Sequence, residues 1–196
     1  MKKALFVLFV GLGLSAFAQK KSEQALFFDQ LVKSGTDVTV YTESVEEHYL
    51  KDLKKMLQKH KTMTRPDYGE WHNLKTSAPK SITLSKSEID YVMVQLEKAN
   101  KNPGWSKGLI KNSRLVTSAE IDSVFMDQNK SWPYFKKHYG KSLSTFSKPV
   151  FLRNNTFCIF YKAGSGGELS GGGGFSLYAK DKGVWRLYGM LTMWIS

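Results

Sequence analysis

The segment Thr156 to Lys162 limits the possible folds more than any other stretch of the chain. Phe157, Ile159 and Tyr161 alternate with Cys158 and Phe160, so a β-strand here carries apolar side chains on both faces. Water cannot border such a strand. The pattern predicts a central strand in a sheet, with helices covering at least one side. Arg153-Asn154-Asn155 links it to Val150-Phe151-Leu152, and the asparagines tolerate the left-handed backbone that a tight hairpin needs. Downstream, Phe175, Leu177 and Ala179 alternate with Ser176, Tyr178 and Lys180. Asp181-Lys182-Gly183 then turns into a last strand from Val184 to Ile195, with Gly189 as a bulge or twist point.

Ahead of this region the period is helical. Ala25, Leu26, Phe28 and Leu31 mark a short helix, and Asp37 to Glu43 reads as a strand. Ser44 to Glu47 matches a capping box, followed by a helix with Val45, Tyr49, Leu53, Met56 and Leu57 on one side and lysines on the other. Residues 61–80, with Pro66, Gly69 and Pro79, read as a long irregular connection holding Trp71 and His72, with a short strand possible from Ser81 to Leu84. Two further boxes, Ser85 to Glu88 and Thr117 to Glu120, open helices carrying Ile89, Val92, Met93 and Leu96, and then Ile121, Val124 and Phe125. Asn102-Pro103-Gly104 is a turn, and a short helix runs from about Pro133 to a stop at Gly140.

The expected fold is α+β: a helical N-terminal part packed on a C-terminal antiparallel sheet of about four strands. A cone-shaped, cystatin-like sheet is the alternative. The domain plan is a signal peptide over residues 1–18, then one α+β domain over 19–196, helix-rich from 20 to 140 and a β meander from 149 to 196. The signal rests on Lys2 and Lys3, an apolar run from Leu5 to Leu14, and the small-x-small site Ala16-Phe17-Ala18, with the cut after Ala18. Its apolar run is too short to span a bilayer, which needs about 20 residues. Export of a basic chain, to the periplasm or beyond, is the localisation expected.

Seven of the twelve residues from Ala163 to Gly174 are glycine. That excludes an ordinary strand and predicts a flexible hairpin loop, or two twisted strand ends with bulges. A phosphate loop needs lysine and a following helix, and neither is present. A dinucleotide fingerprint needs glycines at positions one, three and six, which no register provides. The polar residues of the tract, Ser165, Glu168 and Ser170, are the candidate ligand- or partner-contacting side chains. No catalytic set, cofactor or metal site is expected, because the four histidines lack H-x-x-x-H spacing and the chain has one cysteine. Cys158 lies between apolar neighbours, as a buried small side chain does.

The net charge of +12 allows attraction to anionic polymers. Yet Arg65, Arg114, Arg153 and Arg186 are the only arginines, and lysine lacks the planar fork that suits specific phosphate recognition, so no specific nucleic-acid partner is expected. Ser147-Lys148-Pro149-Val150-Phe151-Leu152, Phe157 to Tyr161, the glycine tract, Gly183-Val184-Trp185 and Trp194-Ile195-Ser196 together resemble a group of uncharacterised exported bacterial proteins. The resemblance is best over residues 142–196 and implies export and a β-rich C-terminal region. In such relatives the tract often reads Cys-Gly-x-x-Cys-Gly. Gly166 to Gly171 lacks both cysteines, so the disulfide or thiol role that pattern implies cannot operate here.

The favoured function is a non-catalytic, exported module binding an envelope or extracellular ligand or partner, with Trp185, Tyr188 and Trp194 as aromatic candidates for a groove. One alternative is a secreted hydrolase using Ser165 or Ser170 with one of His48, His60, His72 or His138. The other is a lysine-rich binder of anionic envelope polymers.

Overall fold

The structure, a computed structural model, describes residues 21–32, 38–42, 44–72, 74–102, 104–105 and 108–196. The signal peptide expected over 1–18, Pro103, and the ends Asp37 and Glu43 of the first predicted strand lie outside the described residues. Ser22 caps α1 (Glu23–Leu31), its Oγ accepting from the Ala25 amide at 3.2 Å. There follow β1 (Thr39–Thr42), α2 (Glu47–Lys59), β2 (Thr62–Thr64), a 3-10 turn at Gly69–Trp71, β3 (Ser81–Thr83) and α3 (Lys86–Lys101). Next come β4 (Ser113–Leu115), α4 (Ser118–Phe125) and α5 (Trp132–His138). The chain ends with β5 (Leu143–Phe146), β6 (Val150–Leu152), β7 (Phe157–Gly167), β8 (Ser170–Asp181), β9 (Val184–Met190) and β10 (Trp194–Ile195).

Two of the three capping boxes form. Ser85 with Glu88 and Thr117 with Glu120 each close both reciprocal bonds. The box at Ser44 does not, because α2 begins only at Glu47 and Glu46 offers no side-chain cap. Asn100, on α3, explains this. Its Oδ1 accepts from the Val45 amide at 2.6 Å and its Nδ2 donates to the Val45 carbonyl at 2.8 Å, which holds Val45 outside the helix.

The class is α+β, but the main sheet has eight strands rather than about four. Its order is β10-β8-β7-β5-β1-β4, with β6 also on β7 and β9 also on β8. β1 runs parallel to β4 and to β5, and the other pairs are antiparallel. The unforeseen strands β4 and β5 have three and four residues, too few for a period to show.

β7 sets the layers. Phe157, Ile159 and Tyr161 join Phe175, Leu177 and Tyr188 under Leu53 and Leu57 of α2 and Val92 and Leu96 of α3. On the opposite face Cys158, Phe160, Tyr178 and Trp185 pack with Phe27 and Phe28 of α1. Phe27 meets Phe160 edge-on at 5.1 Å and Trp185 at 5.3 Å. Helices therefore cover both faces of the β7–β8 ribbon. A third cluster, Val40, Val116, Val124 and Phe135, seats α4 and α5 on β1. Val40 is level with Leu143, and Leu143 with Ser165, so α4 and α5 sit on the same sheet face as α2 and α3. Cys158 is fully buried, and burial pushes its thiol well above the ordinary range.

The glycine tract is strand, not loop. β7 and β8 pair through it to a turn at Glu168-Leu169, with a register shift between Ser165 and Gly167. Close approach requires the glycines: a Cβ at Gly173 would overlap Ala163, and one at Gly174 would overlap the Thr192 carbonyl. The Leu191 and Thr192 amides both donate to the Phe175 carbonyl at 2.8 and 3.1 Å, and the Phe175 amide donates to Thr192 Oγ1 at 3.0 Å. The strand expected from Val184 to Ile195 is thereby split into β9 and β10. The irregularity expected at Gly189 is present, since Leu177 pairs with Gly189 and Tyr178 with Leu187. Residues 61–80 are less irregular than expected. β2 pairs with β3, and the Trp71 indole N–H donates to the Leu187 carbonyl. Tyr188 Oη donates to the Pro79 carbonyl at 2.9 Å, and Ser77 donates from N and Oγ to Asp181 Oδ1 at 3.2 and 3.1 Å.

Arg153, in the β6–β7 turn, grips Glu88 of α3 with Nε–Oε1 at 2.7 Å and Nη2–Oε2 at 3.1 Å. The guanidinium bonds, helped by the Ser85 amide, hold the Glu88 carboxyl down at about 2. Because the folded value is depressed below the ordinary 4.5, this stabilisation is complete above that pH and is lost as pH falls from there toward 2. Arg153→Ala is expected to cost about 1 kcal/mol, since both groups are partly exposed and screened, and to flatten stability against pH in that window. Urea unfolding across the acid range measures both. In the same assay Gly174→Ala is expected to cost ~1–3 kcal/mol through overlap with backbone. Gly189→Ala meets no atom within 4 Å and is expected to change stability by less than about 0.5 kcal/mol.

Candidate functional site

The same alternation that builds the core produces a hollow. Along one face, β7 presents Phe157, Ile159, Tyr161, then Ala163 and Ser165, while the paired positions of β8 are Ala179, Leu177, Phe175, Gly173 and Gly171. Side-chain volume runs out beyond Tyr161 and Phe175. On this face, helices α2 and α3 cover one end and α4 and α5 the other, and the space between them is a cavity of about 380 Å³.

Its floor is strand. Leu143 and Thr145 of β5, Thr42 of β1, and Tyr161, Ala163 and Ser165 of β7 face upward, with Thr42 Oγ1 and Thr145 Oγ1 hydrogen-bonded at 3.0 Å. One wall is the start of α2, with Glu46 and Tyr49, and the opposite wall is α4, with Ser118, Ile121 and Asp122. Trp194 closes the glycine end. It stacks on Tyr49 (centroids 5.9 Å, interplanar 17°), and its Nε1 donates to Tyr161 Oη at 2.9 Å. Gly171 leaves room for this ring, since a Cβ there would lie 3.2 Å from Trp194 and 2.8 Å from Ser165 Oγ. Burial pushes the Tyr161 phenol well up, with the Glu46 charge adding to the effect. Burial and then Glu46 also raise Tyr49. Both phenols are therefore neutral hydrogen-bonding groups at neutral pH.

Of the three candidate residues from the tract, Ser165 lines this cavity. Glu168 and Ser170 do not; they are exposed at the hairpin tip beyond it. Of the aromatic candidates, Trp185 and Tyr188 are core and Trp194 is at the site. No hydrogen bond joins Ser165 or Ser170 to any histidine among the described residues. His48 lies 3.4 Å from Glu46 through Nδ1, and its ring is tilted 45° against Tyr49 with centroids 3.8 Å apart. His72 is exposed, its Nδ1 3.0 Å from the Asp67 carbonyl oxygen. The lysines form a separate hollow of about 510 Å³ between α2 and α3, where Lys51, Lys54 and Lys101 alternate with Glu47 and Glu97. Lys51 is paired there with Glu47 at 3.0 Å, so this surface is mixed in sign.

Comparison of the chain with protein-family models, with curated proteins and with solved structures finds no match. Among the described residues no helix is long and apolar enough to cross a membrane, and no group of three or more His, Cys, Asp or Glu is placed to hold a metal ion.

Asn100 is the residue sequence reasoning missed. It lines the hollow between α2 and α3 rather than this cavity, yet it pins Val45 and so places Glu46 and Tyr49 at the rim. It left no signal, because Asn100 and Val45 are 55 positions apart in the sequence. Val45 is 2% exposed, so Asn100→Ala leaves a buried N–H and C=O unpaired. The expected cost is ~1–3 kcal/mol by urea unfolding.

Proposed function

We propose that this chain is an exported, non-catalytic binding module whose small ligand occupies the cavity between the α2–α3 and α4–α5 pairs. The observation that carries this reading is the cavity itself. Its volume of about 380 Å³ suits a small molecule, and Tyr49, Tyr161 and Trp194 converge there with threonine and serine hydroxyls. Hydrogen-bonding groups set around an apolar wall orient a ligand, and a deep sheet floor supplies the rigidity that limits ordering cost. Among the described residues Ser165 has no hydrogen-bonded histidine to activate it, which favours binding over acyl transfer. Export is supported by the Lys2–Ala18 pattern and by the C-terminal resemblance to exported bacterial proteins.

Trp194 makes the test direct. Small-molecule fragments added to the folded protein are expected to shift the Trp194 indole N–H resonance. Ser118→Trp, at an exposed rim position, is expected to abolish that shift while leaving stability within about 0.5 kcal/mol. Fragment binding that ignores Ser118→Trp, or no fragment binding near Trp194, rejects the cavity as the site. Mass spectrometry of the protein from the cell envelope is expected to find Gln19 as the first residue.

A further inference from the structure

The charge around the cavity is opposite to the charge of the chain. The sequence has 29 lysines and arginines against 17 acids. The described residues that line the cavity include Glu46 and Asp122 but no lysine or arginine. From this inversion we infer that the ligand is a small organic cation, an amine or quaternary ammonium. Its charge faces Glu46 and Asp122, and its carbon skeleton lies against Tyr49, Tyr161 and Trp194. This deepens the binding reading above and rests on it.

One feature pulls the other way. Both α2 and α4 begin at the cavity, and a helix N-terminus carries about half a positive charge. At α4 the Thr117 and Glu120 amides are already bonded within the capping box, and the Glu120 carboxylate stands in the first turn. At α2, Glu47 stands in the first turn. Two full carboxylate charges at the rim outweigh two half-charges so compensated, so an anionic ligand meets net repulsion.

A neutral sugar is the nearer competitor, since sugars lie flat on open aromatic faces. Trp194 already gives one face to Tyr49 and its N–H to Tyr161. What remains is an aromatic wall with acceptor oxygens, a setting that favours a cation over a neutral ring.

Glucosamine, glucose and glucuronate share one ring and differ in charge, and choline is a cation without the ring. Calorimetric titration of each into the folded protein separates the possibilities. Glucosamine or choline is expected to bind roughly threefold to tenfold more tightly than glucose, glucuronate most weakly, and the preference is expected to shrink at high salt. Glu46→Gln and Asp122→Asn, at exposed rim positions, are each expected to remove several-fold of cation affinity and leave glucose unchanged. Asp52→Asn alters net charge equally, away from the cavity, and is expected to leave all four affinities unchanged. Glucose or glucuronate binding as tightly as both cations, with loss of binding in Ser118→Trp, overturns the cation and leaves the cavity as a binding site. Failure of both cations to bind overturns the inference as well. If fragments shift Trp194 none the less, the binding reading survives.

Discussion

A hydrogen-bonded ribbon with apolar side chains on both faces is the constraint that everything else obeys. From Phe157↔Ala179 to Gly167↔Ser170, β7 and β8 pair along almost their whole length. A slip of one residue would send Phe157, Ile159 and Tyr161 to α1, and Cys158 and Phe160 to α2 and α3. The two cores differ in shape, because α1 inserts Phe27 and Phe28 where α2 and α3 offer Leu53, Leu57, Val92 and Leu96. Each fully buried side chain of this size contributes roughly 1.5–3 kcal/mol. The cost of moving several at once fixes the register, and the register fixes where every helix lies.

The cavity comes from the same ribbon. A strand pair that packed large residues to its end would seal the space between the two helical patches. Here the large residues stop at Tyr161 and Phe175, and Ala163, Ser165, Gly173 and Gly171 continue the face. The glycines thus do two jobs. Gly173 and Gly174 admit close neighbours, while Gly171 makes room for Trp194. Packed core and open cavity are divided along one strand by side-chain size.

How legible this was in the sequence depended on the range of the interaction. Ser85–Glu88 and Thr117–Glu120 are local, three residues apart, and formed as read. The two-faced strand was equally clear, because its pattern needs only Phe157 to Tyr161. Ser44–Glu47 has the same local pattern and failed, because a residue 55 positions away from Val45 took its backbone groups. β4 and β5 were invisible for a related reason: three or four residues carry no period, and their partners are distant in sequence. At the site, Ser165 and Trp194 were visible as residues but not as neighbours. Glu168 and Ser170 share the composition of the tract, and only the fold shows that the turn carries them past the cavity.

The stretch between β2 and β3 gives the sheet a further property. It is tied along the ribbon's margin by the Trp71 indole on Leu187, the Tyr188 hydroxyl on Pro79, and Ser77 on Asp181. A bare outer strand recruits strands from other molecules, and such recruitment is how folded sheets begin to aggregate. With that stretch sewn over it, the Leu187 carbonyl of β9 is already taken by the Trp71 indole and is closed to a passing chain. The connection thus works as a selvedge along one margin of the sheet.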